Sequence, residues 1–321
     1  MSLYLVTGGA GFIGSHIVKR LLKLHEKVRV IDNLSTGRLD NLSPVLNRIE
    51  FIEGDINDFY TLERAMNGVD YVIHQAAKVS VPESVKAPVS FHEANVNGTM
   101  FVLECCRSLN VKRLVMASSS AVYGLNEQIP LQEENPVIQI SPYGMTKYID
   151  ELYAGLYYNL YGLETVCLRY FNVYGPGQNI YSPYAGVISK FINRMVRDEP
   201  VEIFGDGEQT RDFVYIDDVV NANLLSCWQV NLGGEILNIG SGCRVSINQL
   251  HAILSDILGV KKNPKYKPYR IGDISHSEAS IEKATRVIGY KPLVNLKCGL
   301  QNTVDWVIKD FKNNDLDLKV V

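Results

Sequence analysis

The first 170 residues alternate short β-rich runs with longer helical patterns, and this alternation constrains the fold more than any other feature of the chain. The expected strands are Leu3–Thr7, Lys27–Asp32, Ile49–Glu53, Tyr71–His74, Leu114–Ala117 and Thr165–Arg169. Most are near-continuous apolar runs, so both faces of the sheet must be covered. Helical segments between most of the strands supply that cover, because a parallel crossover has to pack back onto the sheet. The expected fold is α/β, with a doubly wound parallel sheet. After Asn172 the rhythm breaks into Tyr174-Gly175-Pro176-Gly177-Gln178-Asn179 and then mixes short strands with helices, which marks a smaller mixed α/β lobe.

Composition narrows the partners. The chain has 321 residues, of which 46% are hydrophobic and 21% charged, enough to bury a full core. Thirty-two Lys and Arg against 35 Asp and Glu leave a formal charge of −3, which argues against nucleic acid or a polybasic membrane anchor and favours a small molecule. No apolar run approaches the ~20 residues of a membrane span. The chain enters Leu3-Tyr4-Leu5-Val6 without a basic leader or cleavage pattern, so a cytoplasmic address is expected. Cys105, Cys106, Cys167, Cys227, Cys243 and Cys298 show no metal-ligand spacing and read as reduced packing residues. The six histidines are equally scattered, so no metal is expected. The charge-rich stretch from Lys309 to Val321 reads as a solvated terminus.

The first chemical signal is the turn Thr7-Gly8-Gly9-Ala10-Gly11-Phe12-Ile13-Gly14, between the first strand and an amphipathic helix from about Phe12 to Leu24. Gly8 permits the tight turn, Gly11 lets the backbone approach a pyrophosphate on the helix N-terminus, and Gly14 allows close helix–strand packing. The second strand ends at Asp32, where a carboxylate can bind the ribose diol of a dinucleotide. That carboxylate repels the 2′-phosphate of NADP and favours NAD. Arg38 lies close enough in sequence to hold a phosphate instead, and Asp32 has the bland reading of a strand-end turn residue. The sheet is therefore expected to be of Rossmann type.

The second signal is Tyr143-Gly144-Met145-Thr146-Lys147, which opens a helix carrying Ile149, Leu152, Tyr153, Leu156 and Leu160. Tyr143 and Lys147 share a helix face, and a neighbouring ammonium favours the phenolate that can act as a base. Ser118-Ser119-Ser120 follows a buried strand, at the sheet edge where open α/β sheets bind ligands. Singly, the Tyr/Lys spacing is weak and a serine run is more often a loop. Tyr153, Tyr157, Tyr158 and Tyr161 read as packing residues.

Taken together these pieces resemble the extended short-chain dehydrogenase/reductases, over nearly the whole chain. The matching segments include Thr7–Gly14, Asp32-Asn33-Leu34, Gly54-Asp55-Ile56, His74-Gln75-Ala76-Ala77, Asn95–Thr99, Ser118–Gly124, Ser141-Pro142-Tyr143 with Lys147, Arg169–Asn172, Arg211-Asp212-Phe213 and Arg270–Asp273. Within that family the chain resembles the UDP-sugar 4-epimerases.

The resemblance implies roles. Tyr143, Lys147 and Ser119 would be catalytic, with the serine on the sugar 4-oxygen. Gly8, Gly11, Phe12, Ile13, Gly14, Asp32, Asn33, Ser35, Thr36 and Gly37 would bind NAD, together with Asp55, Ile56, Gln75, Ala76, Ala77, Asn95, Tyr143, Lys147, Tyr170 and Phe171. The nucleotide sugar would meet Ser80, Ser119, Ser120, Tyr143, Asn172, Gly186, Val187, Phe204, Arg211, Arg270, Asp273 and Ser277. For Arg211 an ion pair with Asp212 or Asp217 is the plain alternative. The resemblance also places an NAD-binding Rossmann domain at residues 1–171, with about 205–241 returning to it, and a nucleotide-sugar lobe at 172–204 and 242–321.

The implied reaction is reversible C4 epimerisation of UDP-hexoses through a 4-keto intermediate with bound NAD. Ser277 stands where relatives restricted to plain hexoses carry a bulky tyrosine, which extends the expected substrates to UDP-GlcNAc and UDP-GalNAc beside UDP-Glc and UDP-Gal. Two alternatives stay open. One is another NAD-dependent sugar-nucleotide enzyme, a dehydratase or decarboxylase, although Ser120 and Ala121 occupy the places of the acids those enzymes use. The other is a non-catalytic NAD-binding regulator. Relatives pair the Tyr143 helix and the one before Lys112 across a homodimer as a four-helix bundle.

Overall fold

The computed structural model describes residues 1–126, 128–181, 185–269 and 273–313. Seven strands form the large sheet: β1 (Leu3–Thr7), β2 (Lys27–Asp32), β3 (Glu50–Glu53), β4 (Tyr71–His74), β5 (Arg113–Ser119), β6 (Thr165–Tyr170) and, after three strands that lie elsewhere, β10 (Glu235–Ile239). The order is β10-β6-β5-β4-β1-β2-β3 and every pairing is parallel. The chain winds one way from β1 to β3 and the other way from β4, so the crevice between β1 and β4 is the switch point where such sheets bind ligands.

Helices cover both faces. On one side α1 (Phe12–Lys23) turns Ile17, Val18, Leu21 and Leu22 into the core, the apolar stripe expected of a helix laid on a sheet. The other face carries α2 (Phe59–Met66) and the run from α3 (Val81–Lys86) and α4 (Pro88–His92) through a π-helical turn at Glu93–Asn97 into α5 (Gly98–Ser108). That face is completed by α6 (Pro142–Tyr161), which is capped by the Ser141 hydroxyl, has Pro142 at its first position and ends at Gly162 in the left-handed conformation.

The strands agree with the apolar runs, with one informative difference. β5 continues through Ser118 and Ser119, which pair with Arg169 and Tyr170 of β6. The serines lower the apolar signal, but the ladder holds them extended.

Beyond β6 the chain builds smaller sheets. β7 (Asn172–Tyr174) pairs parallel with β9 (Thr210–Tyr215), which pairs antiparallel with β11 (Arg244–Ser246), while β8 (Glu202–Phe204) pairs with β12 (Lys265–Lys267). The helices there are α7 (Val187–Val196), α8 (Ile216–Trp228), α9 (Ile247–Leu258), α10 (Glu282–Ile288) and α11 (Leu296–Asn313). The return to the large sheet is made by α8 and β10. Thr210–Tyr215, placed by sequence within the returning segment, belongs instead to the three-stranded sheet.

Two further expectations are corrected. Lys309 to Phe311 lie in α11, and Phe311 is fully buried against the core, so that part of the tail is structural. Cys243 and Cys298 are exposed, while the other four cysteines are buried.

Candidate active site

A cleft of about 720 Å³ opens along the C-terminal ends of the strands, from the glycine turn after β1 to the start of α6. Most of the residues expected to hold a dinucleotide line it: Gly8, Gly11, Phe12, Ile13, Gly14, Asp32, Asn33, Ser35, Thr36, Gly37, Asp55, Ile56, Gln75, Ala76, Ala77, Tyr143, Lys147, Tyr170 and Phe171. They come from five separate strand ends and the start of α6, brought together because parallel strands all point the same way.

Three local features test whether this wall fits NAD. Gly8 adopts φ +65°, and a Cβ there would lie 2.7 Å from the Ala76 nitrogen, so the turn sits directly against the chain leaving β4. No side chain caps α1 and its first turn holds no acidic residue, which leaves its N–H groups for an anion. Asp32 is buried and accepts from the Ala10 and Leu34 N–H groups at 2.9 and 2.8 Å; burial pushes its carboxyl above the usual range while these two donors oppose the rise. A Cβ at position 37 would lie 2.9 Å from both Asp32 oxygens, so glycine there keeps the carboxylate's approach free. Arg38 forms an exposed ion pair with Asp40 at 3.0 Å. The residues fit the dinucleotide.

Asp55 extends the wall. Partial burial works to raise its pKa, but the Asn57 N–H and the Asn33 and Asn57 amides outweigh it and hold the carboxyl below its usual range.

At the other end, α6 brings Tyr143 and Lys147 to the cleft. Gly144 lets the helix start close beneath the turn after β5: a Cβ there would lie 2.6 Å from the Ala121 carbonyl oxygen. Ser119 lines the cleft and accepts the Ala121 N–H at 3.1 Å. Tyr143 is buried with its ring edge-on to Phe91.

Asn95, grouped with the cofactor residues, lies behind the wall and supports its backbone. Its amide bonds both backbone groups of Lys78 and the Thr146 hydroxyl, so the π-helical turn that carries it braces α6 against the chain after β4.

The expected substrate residues are less concentrated. Ser120 opens the short turn after β5, outside the cleft lining, and Ser80 caps α3 by accepting the Glu83 N–H. Asn172 donates to the Asp212 carbonyl at 2.9 Å, tying β7 to β9. Val187 and Phe204 line a separate hollow of about 440 Å³, with Gly186 at the N-terminus of α7 beside it. Arg211 pairs with Asp273 at 2.8 Å, rather than with Asp212 or Asp217. Asp212 is occupied by the Ser241, Gly242 and Ala279 N–H groups. Ser277 is buried, its N–H donated to the Thr210 carbonyl next to Arg211. Arg270 lies outside the described residues. No group of three or more potential metal ligands occurs among the described residues, and no described helix is long and apolar enough to cross a membrane.

Ser118 and Gln178, given no site role by the sequence, both line the cleft. Gln178 accepts from the Ser189 hydroxyl and donates to the Val173 carbonyl, holding the Tyr174–Asn179 loop to α7. Ser118 donates to Glu151, whose two oxygens also receive a forked pair from Arg169 at 2.9 and 2.8 Å; acid and guanidinium are both about 2% exposed. The helix reading itself needs correction. Leu152, Leu156, Leu160 and Tyr161 are about half exposed or more, while Lys147, Asp150 and Glu151 face inward; Tyr157 is buried and Tyr153 packs against the core, as packing residues should.

The fold and this cleft define a nucleotide-cofactor enzyme of the Rossmann class. A sequence model of the NAD-dependent epimerase/dehydratase family matches residues 4–240, and the chain belongs to that family. Among solved structures, the UDP-glucose 4-epimerase of Thermotoga maritima with UDP-glucose is 42% identical at a TM-score of 0.92, covering 96% of this chain and 99% of that one. The UDP-N-acetylglucosamine 4-epimerase of Methanobrevibacter ruminantium, in complex with UDP-N-acetylmuramic acid, is 41% identical, with the same TM-score and coverage. The UDP-glucuronate 4-epimerase of Thermodesulfobacterium geofontis is 37% identical over 95% of this chain and 96% of its own length.

Proposed function

We propose that the protein is a UDP-sugar 4-epimerase that works on bound NAD. The observation that carries this reading is the placing of Tyr143, Lys147 and Ser119 at one end of the same cleft whose other end is the glycine turn and Asp32. The three named relatives differ in their sugar and share the uridine diphosphate and the C4 position, which makes that shared chemistry the best supported.

NAD, when bound, supplies a reversible hydride acceptor at the sugar C4. The chain's residues do the rest. Tyr143 Oη takes the proton of the 4-hydroxyl and gives it back, Ser119 donates a hydrogen bond to the same oxygen, and the Lys147 ammonium favours the phenolate. Ser120 and Ala121 carry no acid with which to expel a C6 oxygen, which sets the reading against a dehydratase. Arg211 and Arg270 would hold the diphosphate; for Arg211 this means exchanging its Asp273 partner for phosphate oxygens.

We further read the large sheet as the NAD-binding part and the small sheets as the nucleotide-sugar lobe, with Val187 and Phe204 at the nucleotide. The exposed stripe of Leu152, Leu156, Leu160 and Tyr161 on α6 supports a homodimer that pairs α5 and α6 as a four-helix bundle. Small, buried Ser277 supports activity on N-acetylated sugars. The test is turnover of UDP-Glc, UDP-Gal, UDP-GlcNAc and UDP-GalNAc by wild type and Ser277→Tyr. The expected outcome is interconversion at C4, with the tyrosine variant losing N-acetyl activity selectively. Absence of turnover on all four overturns the epimerase reading, and equal losses on both substrate classes overturn the role of Ser277.

A further inference from the structure

The buried face of α6 holds an acid that the reaction as proposed does not use. Asp150 is 1% exposed, and its Oδ2 lies 3.4 Å from the Lys147 ammonium, which is itself 2% exposed. Its Oδ1 is buried without a hydrogen-bond partner. A carboxylate so poorly supplied with donors is costly, and its neutral form lies within reach.

The neighbours show why Asp150 matters to Lys147 in particular. Glu151, next on the helix, is balanced by the Arg169 guanidinium of β6. From β4, His74 faces threonine hydroxyls with both ring nitrogens, Thr7 at 2.7 Å and Thr99 at 3.1 Å; burial first, and the Lys147 charge second, push it down to about 3, so it is neutral. From α5, the Thr99 hydroxyl also interacts with the Asp150 carboxyl. From β6, the Cys167 thiol is raised by burial and stays neutral. Of these groups, Asp150 alone can set a negative charge against the lysine without a countercharge of its own.

We propose that Asp150 is a positioning residue that sets the net charge Lys147 presents to Tyr143, by holding the ammonium and exchanging between its acid and carboxylate forms. With Asp150 protonated, the ammonium is uncompensated and favours the Tyr143 phenolate. With Asp150 ionised, the pair is neutral and the phenolate loses support, so carboxylate and phenolate compete for one positive charge. Burial pushes the Asp150 carboxyl up to about 7, against the opposing pull of Lys147 and the Thr99 hydroxyl.

This inference rests on the epimerase reading for its kinetic arm only. The experiment compares holoenzyme of wild type and Asp150→Asn in two measurements: the pH profile of kcat/KM, and tyrosinate ultraviolet absorbance taken as the difference from the matching Tyr143→Phe protein. In Asp150→Asn the tyrosinate should appear at a pH lower by about one, the acidic limb of kcat/KM should move down with it, and KM should stay unchanged. Identical tyrosinate midpoints, or a uniform loss of kcat at every pH, overturn the proposal. Asp150→Ser covers the case in which the asparagine variant does not fold, with the same expected direction. If the tyrosinate midpoint moves while wild type epimerises no UDP-hexose, the functional reading falls and the charge-setting role stands.

Discussion

Two helices start at the cleft, and they are built on opposite rules. α1 buries aliphatic side chains and leaves its N-terminus uncapped, so what it offers a ligand is backbone. α6 is capped by Ser141, buries Tyr143, Lys147, Asp150 and Glu151, and turns leucines outward. The comparison shows two ways of making a site. A phosphate is met by N–H groups that any sequence with the right glycines can present, whereas proton transfer needs particular side chains held in a dry interior.

The largest effect should come from breaking the α6 chemistry. If Tyr143 is the base as proposed, Tyr143→Phe removes the proton acceptor and little else, so turnover should fall by about 10²–10⁴-fold with thermal unfolding and NAD retention close to wild type. Near wild-type turnover would show that the helix does not supply the base.

Next is the support of that helix. Glu151→Gln leaves the Arg169 guanidinium buried with its forked partner gone, a change that typically costs about 3–5 kcal/mol, to be read as a lower urea midpoint. A loss under about 1 kcal/mol would mean that the inward polar face of α6 is solvated.

On the α1 side the sensitive group is a missing one. At Gly14 a Cβ would lie 2.3 Å from the Gly8 carbonyl oxygen and 2.8 Å from the Gly9 Cα, backbone that cannot swing aside. Gly14→Ala should cost roughly 1–3 kcal/mol through overpacking, reduced by the ~1 kcal/mol that alanine gains in helix propensity, and should release NAD on gel filtration. Unchanged retention of NAD would show that the turn tolerates a side chain.

The smallest effect separates the two N-termini. Ser141→Ala removes the bond to the Gly144 N–H at 3.1 Å and should cost about 1 kcal/mol. Calorimetry should show a modest drop in Tm, and no drop would mean that Pro142 alone suffices to start α6.

The parallel sheet, the glycine turn, Asp32 and the Tyr143/Lys147 pair were legible in the sequence because each depends on local pattern: apolar runs, positive φ, a strand end, a spacing of four. Continuous residues 1–60 carry most of the dinucleotide wall for the same reason. The orientation of α6 was not legible. Its leucines argue for one face and its buried acids occupy the other, and only the partners, Arg169 from β6 and Thr99 from α5, decide between them. The pairing of Arg211 with Asp273 joins residues 62 apart in sequence, and the bracing of α6 by Asn95 spans 51. Sequence by itself determined which backbone could bind a dinucleotide, since that is a matter of local conformation. The tertiary structure decided which charges are buried together, because a charge can leave water only where a counterpart goes with it: Lys147 finds Asp150 on its own helix, whereas Glu151 takes Arg169 from β6.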